Sequence, residues 1–335
     1  MKNNAIGILG AGTFGIALAA ALAREGKQVT VWSALPDEIE ALKREGCQKN
    51  LPFLTLPKTI RYTTEIGDAC NAGALVMLAV PSVFIRATAR AAAPHLCEGQ
   101  TVIDVAKGIE PESLLTMSEI IREELLREGK SLPLVALSGP THAEEVAKNL
   151  PTAIVAASED ANAALRVQDF FSGTCLRVYT ASDVRGTELC GALKNVVAIA
   201  AGVAAGLGYG DNTLAALMTR GIREIARLGS AMGCRPETFY GLAGIGDIIV
   251  TATSLHSRNR RAGGLLAKGY TAEEAKAEIG MVVEGFYALP AACRLAEKYG
   301  VELPIIFAVR DLMDGKLSPQ NAVENLMARE QKSEF

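Results

Sequence analysis

Three arginines, Arg258, Arg260 and Arg261, fall within four positions of one another in the stretch "TSLHSRNRRAGG". Guanidinium groups at that density suit a polyanion, a small anion or water. Ser257 has the chemistry of a helix N-cap, which puts Arg258 and Asn259 in the first turn, where unpaired amides and the helix dipole favour negative charge. At helical spacing Arg258 and Arg261 share a face and Arg260 points elsewhere. A planar guanidinium in that position suits a phosphate monoester. A solvated basic helix face is the alternative.

A second set of polar residues sits in apolar surroundings. In "TELCGALKNVVAIAAGVAAG" a helical period puts Thr187, Cys190, Gly191, Lys194, Ala198 and Ala201 on one stripe. Lys194 is thus ringed by small side chains that leave room for a ligand beside its ammonium group. A lysine in a partly dry pocket gives up its proton more readily, which suits general acid-base chemistry; an ordinary helical lysine is the competing reading. Further on, "GLAGIGDIIVTAT" places Asp247 after a glycine-rich turn, with Thr251 one helical turn beyond. Asp247 reads either as a helix cap or as the acid that orients Lys194.

The third signal is "GAGTFG", a G-x-G-x-x-G between the apolar run "AIGIL" and the alanine-rich "IALAAALAREG", with "QVTVW" following. That order is strand, turn, helix, strand. Gly10 permits the tight turn, Gly12 lets a pyrophosphate approach the backbone, Gly15 lets the helix pack close, and the first helical amides hold the phosphates. At the end of the second strand, "WSALPDE" has Ser33 and Ala34 where an acid for the ribose hydroxyl is expected, with Asp37 and Glu38 a few residues late. Neither NADH nor NADPH is excluded, and Lys49 is a candidate partner for a 2′-phosphate.

These groups need elements to position them. Apolar runs at residues 74–82, 100–108, 132–140, 152–158 and 176–180 continue the strand pattern, mostly with helical stretches between them. The expected architecture is a Rossmann-type, doubly wound α/β N-terminal domain over residues 1–185, followed by an all-α domain over residues 186–335. Ligands bind beyond the carboxyl ends of such strands. There stand Pro81-Ser82, Lys107-Gly108 and Ser138-Gly139-Pro140-Thr141.

Composition narrows the function further. The net charge is -3 and the basic residues are spread along the chain, so no face suits nucleic acid. The seven cysteines are scattered without a C-x-x-C pair, and the three histidines lack ligand spacing. Reduced thiols in a cytoplasm and no metal site are expected. Lys2 and the apolar stretch after it form a passable secretory signal, but Gly7, Gly10, Gly12 and Gly15 weaken it. No membrane insertion is expected.

Taken together, "GAGTFG", "AKG" at Lys107, "SGPTHAEE", "GALKNVVAIAAG", "GLAGIGD", "SRNRRAG" and "VVEG" resemble, in order and over nearly the whole chain, the bacterial NAD(P)-dependent glycerol-3-phosphate dehydrogenases. The resemblance implies reduction of dihydroxyacetone phosphate to sn-glycerol 3-phosphate by NADH or NADPH, feeding glycerophospholipid biosynthesis. It implies Lys194 as proton donor and acceptor, with Lys107 and Asp247 in the catalytic set. Substrate contacts fall on Lys107, Gly139, Thr141, Lys194, Asp247, Ser257, Arg258 and Asn259, the last two facing the phosphate. Cofactor contacts fall on Gly10, Gly12, Thr13, Phe14, Gly15, Lys107, Ala143, Arg258 and Glu284. Two positions depart from the family pattern: Ala34, where histidine or arginine is frequent, and His142, where phenylalanine is common. The apolar helical domain suits a homodimer. A reductase of short hydroxy acids would have no need of the arginines, and a nicotinamide-sensing module no need of Lys194, Lys107 and Asp247 together.

Overall fold

The computed structural model describes residues 4–331, 333 and 334; Lys2 lies outside them. The chain forms two compact units, one of residues 1–108 and 115–188, the other of residues 109–114 and 189–335.

The first unit is an eight-stranded sheet of β1 (Ala5–Leu9), β2 (Gln28–Trp32), β3 (Arg61–Thr63), β4 (Leu75–Leu78), β5 (Thr101–Asp104), β6 (Leu134–Ser138), β7 (Thr152–Ala157) and β8 (Leu176–Ala181). Their order in the sheet is β3-β2-β1-β4-β5-β6-β7-β8. β1, β4, β5 and β6 are buried along their whole length, as continuous apolar runs covered on both faces must be. β8 alternates buried and exposed residues at one edge, and β3 is three residues long at the other.

All neighbouring pairs are parallel except β6 and β7, which run antiparallel from Ala136 opposite Ala157 to Ser138 opposite Val155. The connection between those two strands holds only the five-residue helix Ala143–Ala147, and the chain turns back beside β6. A parallel return would need a full crossover. The longer helix Ala161–Phe170 then carries the chain across to β8, parallel to β7.

The helix Thr13–Arg24 after β1 is buried from Gly15 to Ala23. Its alanines permit that depth, and it ends as expected: Lys27 N–H bonds the Leu22 carbonyl around Gly26, whose φ is +74°.

The second unit is helical, without a strand among its described residues. Its central element is the helix Val184–Gly206, buried all round from Thr187 to Ala204. It is long and apolar enough to cross a membrane, but 89% of its apolar window is packed inside the protein. Such a helix is a core helix when its neighbours cover every face.

The helix Asp211–Ala231 supplies a buried cap to another helix. Glu224 accepts hydrogen bonds from the amides of Ile305 at 2.8 Å and Ile306 at 3.3 Å, in the first turn of Pro304–Met313. Burial pushes its carboxyl up to about 7 from 4.5, although the two amide bonds pull the other way. Between those values the folded chain keeps a proton that the unfolded chain has released, so folding stability falls as pH rises through the window. Denaturation midpoints followed from about pH 5 to 7.5 are expected to fall for the wild type relative to Glu224→Gln. Parallel curves for the two proteins would refute this origin of the pH dependence.

Candidate active site

In the first unit, local packing makes the glycine loop what it is. Gly10 has φ +128°, which only glycine adopts without strain, and a Cβ there would lie 2.6 Å from the Ala79 carbonyl. A Cβ on Gly15 would collide with the Gly10 carbonyl, so the helix lies directly on the turn. Gly12 is different: nothing stands within 4 Å of where its Cβ would be. The approach to the amides at the start of Thr13–Arg24 is therefore open, and this cradle fits a dinucleotide pyrophosphate.

Thr13 and Phe14 open that helix. Thr13 Oγ1 accepts a hydrogen bond from Asn50 Nδ2 at 3.1 Å, a partner with no local sequence signal. Phe14 and Ala143 both pack on the rim of the same core cluster.

Lys107 and Gly139 meet at the carboxyl ends of neighbouring strands β5 and β6. Lys107 Nζ donates to the Gly139 carbonyl at 2.9 Å, and Thr141 Oγ1 donates to the same oxygen at 3.1 Å. Lys107 is half-buried and held by the backbone, so it is not a solvated terminal lysine. His142 is the residue before the helix Ala143–Ala147 and makes no side-chain cap.

In the second unit the central contact is that of Lys194, 7% exposed, with Asp247, 1% exposed. Lys194 Nζ lies 3.0 Å from Asp247 Oδ1 and donates to Thr251 Oγ1 at 2.6 Å; Thr251 Oγ1 donates in turn to Asp247 Oδ1 at 3.3 Å. A π-helical turn, Leu242–Gly246, leads directly into Asp247–Thr253 and sets the phase that aims Asp247 and Thr251 at the lysine. Asp247 does not cap that helix through its side chain; it is a buried counter-ion. The arrangement holds an ammonium group at a fixed atom, ready to give a proton to an oxygen placed beside it.

Beside Lys194, Asn195 ties the same helix to two others. Asn259 Nδ2 donates to Asn195 Oδ1 at 2.8 Å, and Asn259 Oδ1 accepts from the Gly285 amide at 2.9 Å. Close approach makes this possible, since a Cβ on Gly263 would collide with the Ile199 carbonyl and one on Gly202 with the Arg260 carbonyl.

Ser257 caps Arg258–Ala267 by accepting from the Arg260 amide at 3.2 Å. Arg258 Nη1 donates to the Val282 carbonyl at 2.8 Å, so Arg258, Asn259 and Glu284 gather at the turn that opens Glu284–Tyr299. Asn195 and the 282–285 turn are neighbours of these residues that residue spacing did not single out.

Arg260 and Arg261 line a groove of about 400 Å³ with Gly202, Gly206, Lys268 and Glu278. The helix phase fixed by the Ser257 cap and by the glycine contacts turns Arg261 outward, and it is exposed. Only Arg258 of the three stands at the helix start with Asn259.

Comparison with known proteins matches both halves of the chain to one family. The family models described as NAD-dependent glycerol-3-phosphate dehydrogenase N-terminus and C-terminus match residues 5–164 and 183–324. The chain is 56% identical over 332 residues to NAD(P)+ glycerol-3-phosphate dehydrogenase 2 of Lactobacillus delbrueckii subsp. bulgaricus, covering 98% of each chain. It is 47% identical over 323 residues to the NAD(P)+ glycerol-3-phosphate dehydrogenase of Bacillus subtilis, covering 96% of this chain and 93% of the other. Among solved structures, glycerol-3-phosphate dehydrogenase from Coxiella burnetii superimposes with a TM-score of 0.92 at 36% identity, covering 97% of this chain and 99% of that one. The chain belongs to the NAD-dependent glycerol-3-phosphate dehydrogenase family.

Proposed function

We propose that this chain reduces dihydroxyacetone phosphate to sn-glycerol 3-phosphate, reversibly, with NADH or NADPH. The observation that carries the chemistry is the buried Lys194 held by Asp247 and Thr251. When bound, the reduced nicotinamide supplies the hydride that turns the ketone carbon into a secondary alcohol. Lys194 delivers the proton to the carbonyl oxygen and, in reverse, removes it. Its ammonium charge stabilises the negative charge that grows on that oxygen, while Thr251 helps hold the ammonium group in place. Asp247 keeps the ammonium group in register.

Arg258 grips the substrate phosphate at the start of Arg258–Ala267, with the first-turn amides as further donors. Asn259 has its side-chain oxygen and one amide hydrogen engaged by the protein. It contributes through its remaining N–H and by fixing the turn. Lys107, Gly139 and Thr141 are assigned to substrate, and Gly10, Gly12, Thr13, Phe14, Gly15, Lys107, Ala143, Arg258 and Glu284 to the cofactor. In domain terms, residues 1–185 bind the dinucleotide and residues 186–335 bind the substrate and catalyse. The family relationship fits a cytoplasmic enzyme that supplies glycerophospholipid synthesis; the apolar helical unit suits a homodimer, and the spread of charge suits neither a nucleic-acid partner nor membrane insertion.

Reduced-nicotinamide absorbance followed with dihydroxyacetone phosphate and with unphosphorylated dihydroxyacetone tests the reading. Rapid loss with the phosphate ester alone is expected. Binding of cofactor without turnover would favour a sensing module instead, and turnover of an unphosphorylated keto acid would favour a hydroxy-acid reductase.

A further inference from the structure

At the end of β2 the acid that the sequence places late is brought back. Ser33 is 5% exposed, and its Oγ donates to Glu38 Oε2 at 2.6 Å. The same oxygen accepts from the Leu35 amide at 3.2 Å, and Ser33 N–H is fixed on the Thr63 carbonyl of the edge strand. The short turn between β2 and Pro36–Glu45 is therefore pinned at Ser33. Glu38, in the first turn of that helix, is drawn toward the strand end rather than out into solvent. It is half-buried.

The end of the second strand is where doubly wound nucleotide folds recognise the adenosine ribose. A carboxylate there accepts from the 2′-hydroxyl, and a basic group accommodates a 2′-phosphate. Between Ser33 and Glu38 the chain holds no basic residue: Ala34 is an exposed alanine, and the next positions are Leu35, Pro36 and Asp37. Asp37 adds a second carboxylate to the same helical turn. Lys49 makes no hydrogen bond or ion pair among the described residues, and its neighbour Asn50 is tied to Thr13, so Lys49 is the competing group for a 2′-phosphate.

We propose that Glu38, positioned by Ser33, is the group that discriminates between the two cofactors, and that it selects NADH. Its carboxylate accepts from the ribose 2′-hydroxyl, whereas a 2′-phosphate meets the like charge of Glu38 and Asp37. This assignment rests on the dinucleotide reading of the glycine loop but not on the identity of the reduced substrate, because binding is measured without substrate.

The test is the dissociation constant of NADH and of NADPH, read from nicotinamide fluorescence, for the wild type, Glu38→Gln and Ser33→Ala. The wild type is expected to bind NADH at least about tenfold more tightly than NADPH, the range of one charge-assisted hydrogen bond gained against one repulsion. Glu38→Gln weakens NADH, strengthens NADPH and brings the ratio near one. Ser33→Ala moves the ratio in the same direction by less, a change that a purely structural role for Ser33 would not produce.

Wild-type protein that binds NADPH as tightly as NADH overturns the proposal, and so does a Glu38→Gln variant that shifts both constants equally. Glu38→Gln keeps the shape of the side chain on a partly exposed helix face, so its fold is expected to survive even where Ser33→Ala is poorly behaved. If NADH binds with the expected preference but dihydroxyacetone phosphate is not reduced, the proposed reaction fails while this assignment stands. If neither dinucleotide binds, both fail.

Discussion

Replacing Lys194 by alanine is expected to lower kcat by at least about 10²-fold while NADH binding stays nearly intact. The size follows from the chemistry. Hydride transfer to a ketone builds charge on its oxygen, and a positioned acid is commonly worth two to four orders of magnitude. The location of Lys194 makes the experiment less simple than the number suggests. Its ammonium group is the counter-ion of Asp247, which is almost fully buried. Removing one partner of a buried pair leaves a stranded charge and costs about 3–5 kcal/mol of folding stability.

The single variant can therefore lose activity by unfolding, and a second one separates the causes. Lys194→Met with Asp247→Asn removes both charges at similar volume and restores stability toward the wild type, with Thr251 still able to hydrogen-bond the asparagine. If the double variant is folded, binds NADH and remains at least about 10²-fold slow, Lys194 acts in the chemistry. Near-normal kcat in any folded variant lacking the lysine would remove it from that role.

The difference between what the chain announces and what it conceals can be traced to range. β1, β4, β5 and β6 are apolar along their whole length because both faces are covered, and such runs stand out locally. The glycine loop stands out by its local G-x-G-x-x-G spacing, although the contact that requires a glycine at Gly10 is with Ala79 at the end of β4, far along the chain. β3 has no apolar run to mark it: Arg61, Tyr62 and Thr63 pair with β2 at a half-covered edge. The reversal at β7 depends on the connection before it and leaves no trace in the strand itself.

Within the second unit, Lys194 was legible through the small residues around it. Its partner Asp247 lies 53 residues away and was recognisable only as an acid after a glycine turn. The Asn195–Asn259 amide pair, 64 residues apart, carried no periodic signal. The groove that Arg260 and Arg261 line against Gly202 and Gly206 was equally hidden, since its far wall comes from a helix more than 50 residues earlier. The short segment of residues 109–114 packs with the second unit, with Ile109 in its core, although it follows β5 directly in the chain.

Arg258 supplies the second large effect. Arg258→Ala is expected to raise KM for dihydroxyacetone phosphate by about 10- to 100-fold, the range of one or two charge-assisted hydrogen bonds to a phosphate. A smaller fall in kcat is expected, because the phosphate lies away from the reacting carbon and its grip stabilises bound substrate and transition state alike. The side chain also anchors the Val282 carbonyl, so the alanine variant loosens the turn that carries Glu284. Cofactor affinity separates that indirect effect from the direct one: a turn merely loosened weakens NADH as much as substrate, whereas loss of the phosphate grip falls mainly on KM. Arg258→Lys restores the charge without the planar fork and is expected to recover only part of the loss. Full recovery by lysine would mean that charge alone is needed, and an unchanged KM in Arg258→Ala would place the phosphate elsewhere. The Arg260 and Arg261 groove is then the alternative location, and Arg261→Gln is the control. In the arrangement argued here that control leaves KM within about twofold of the wild type, as expected for an exposed charge outside the site.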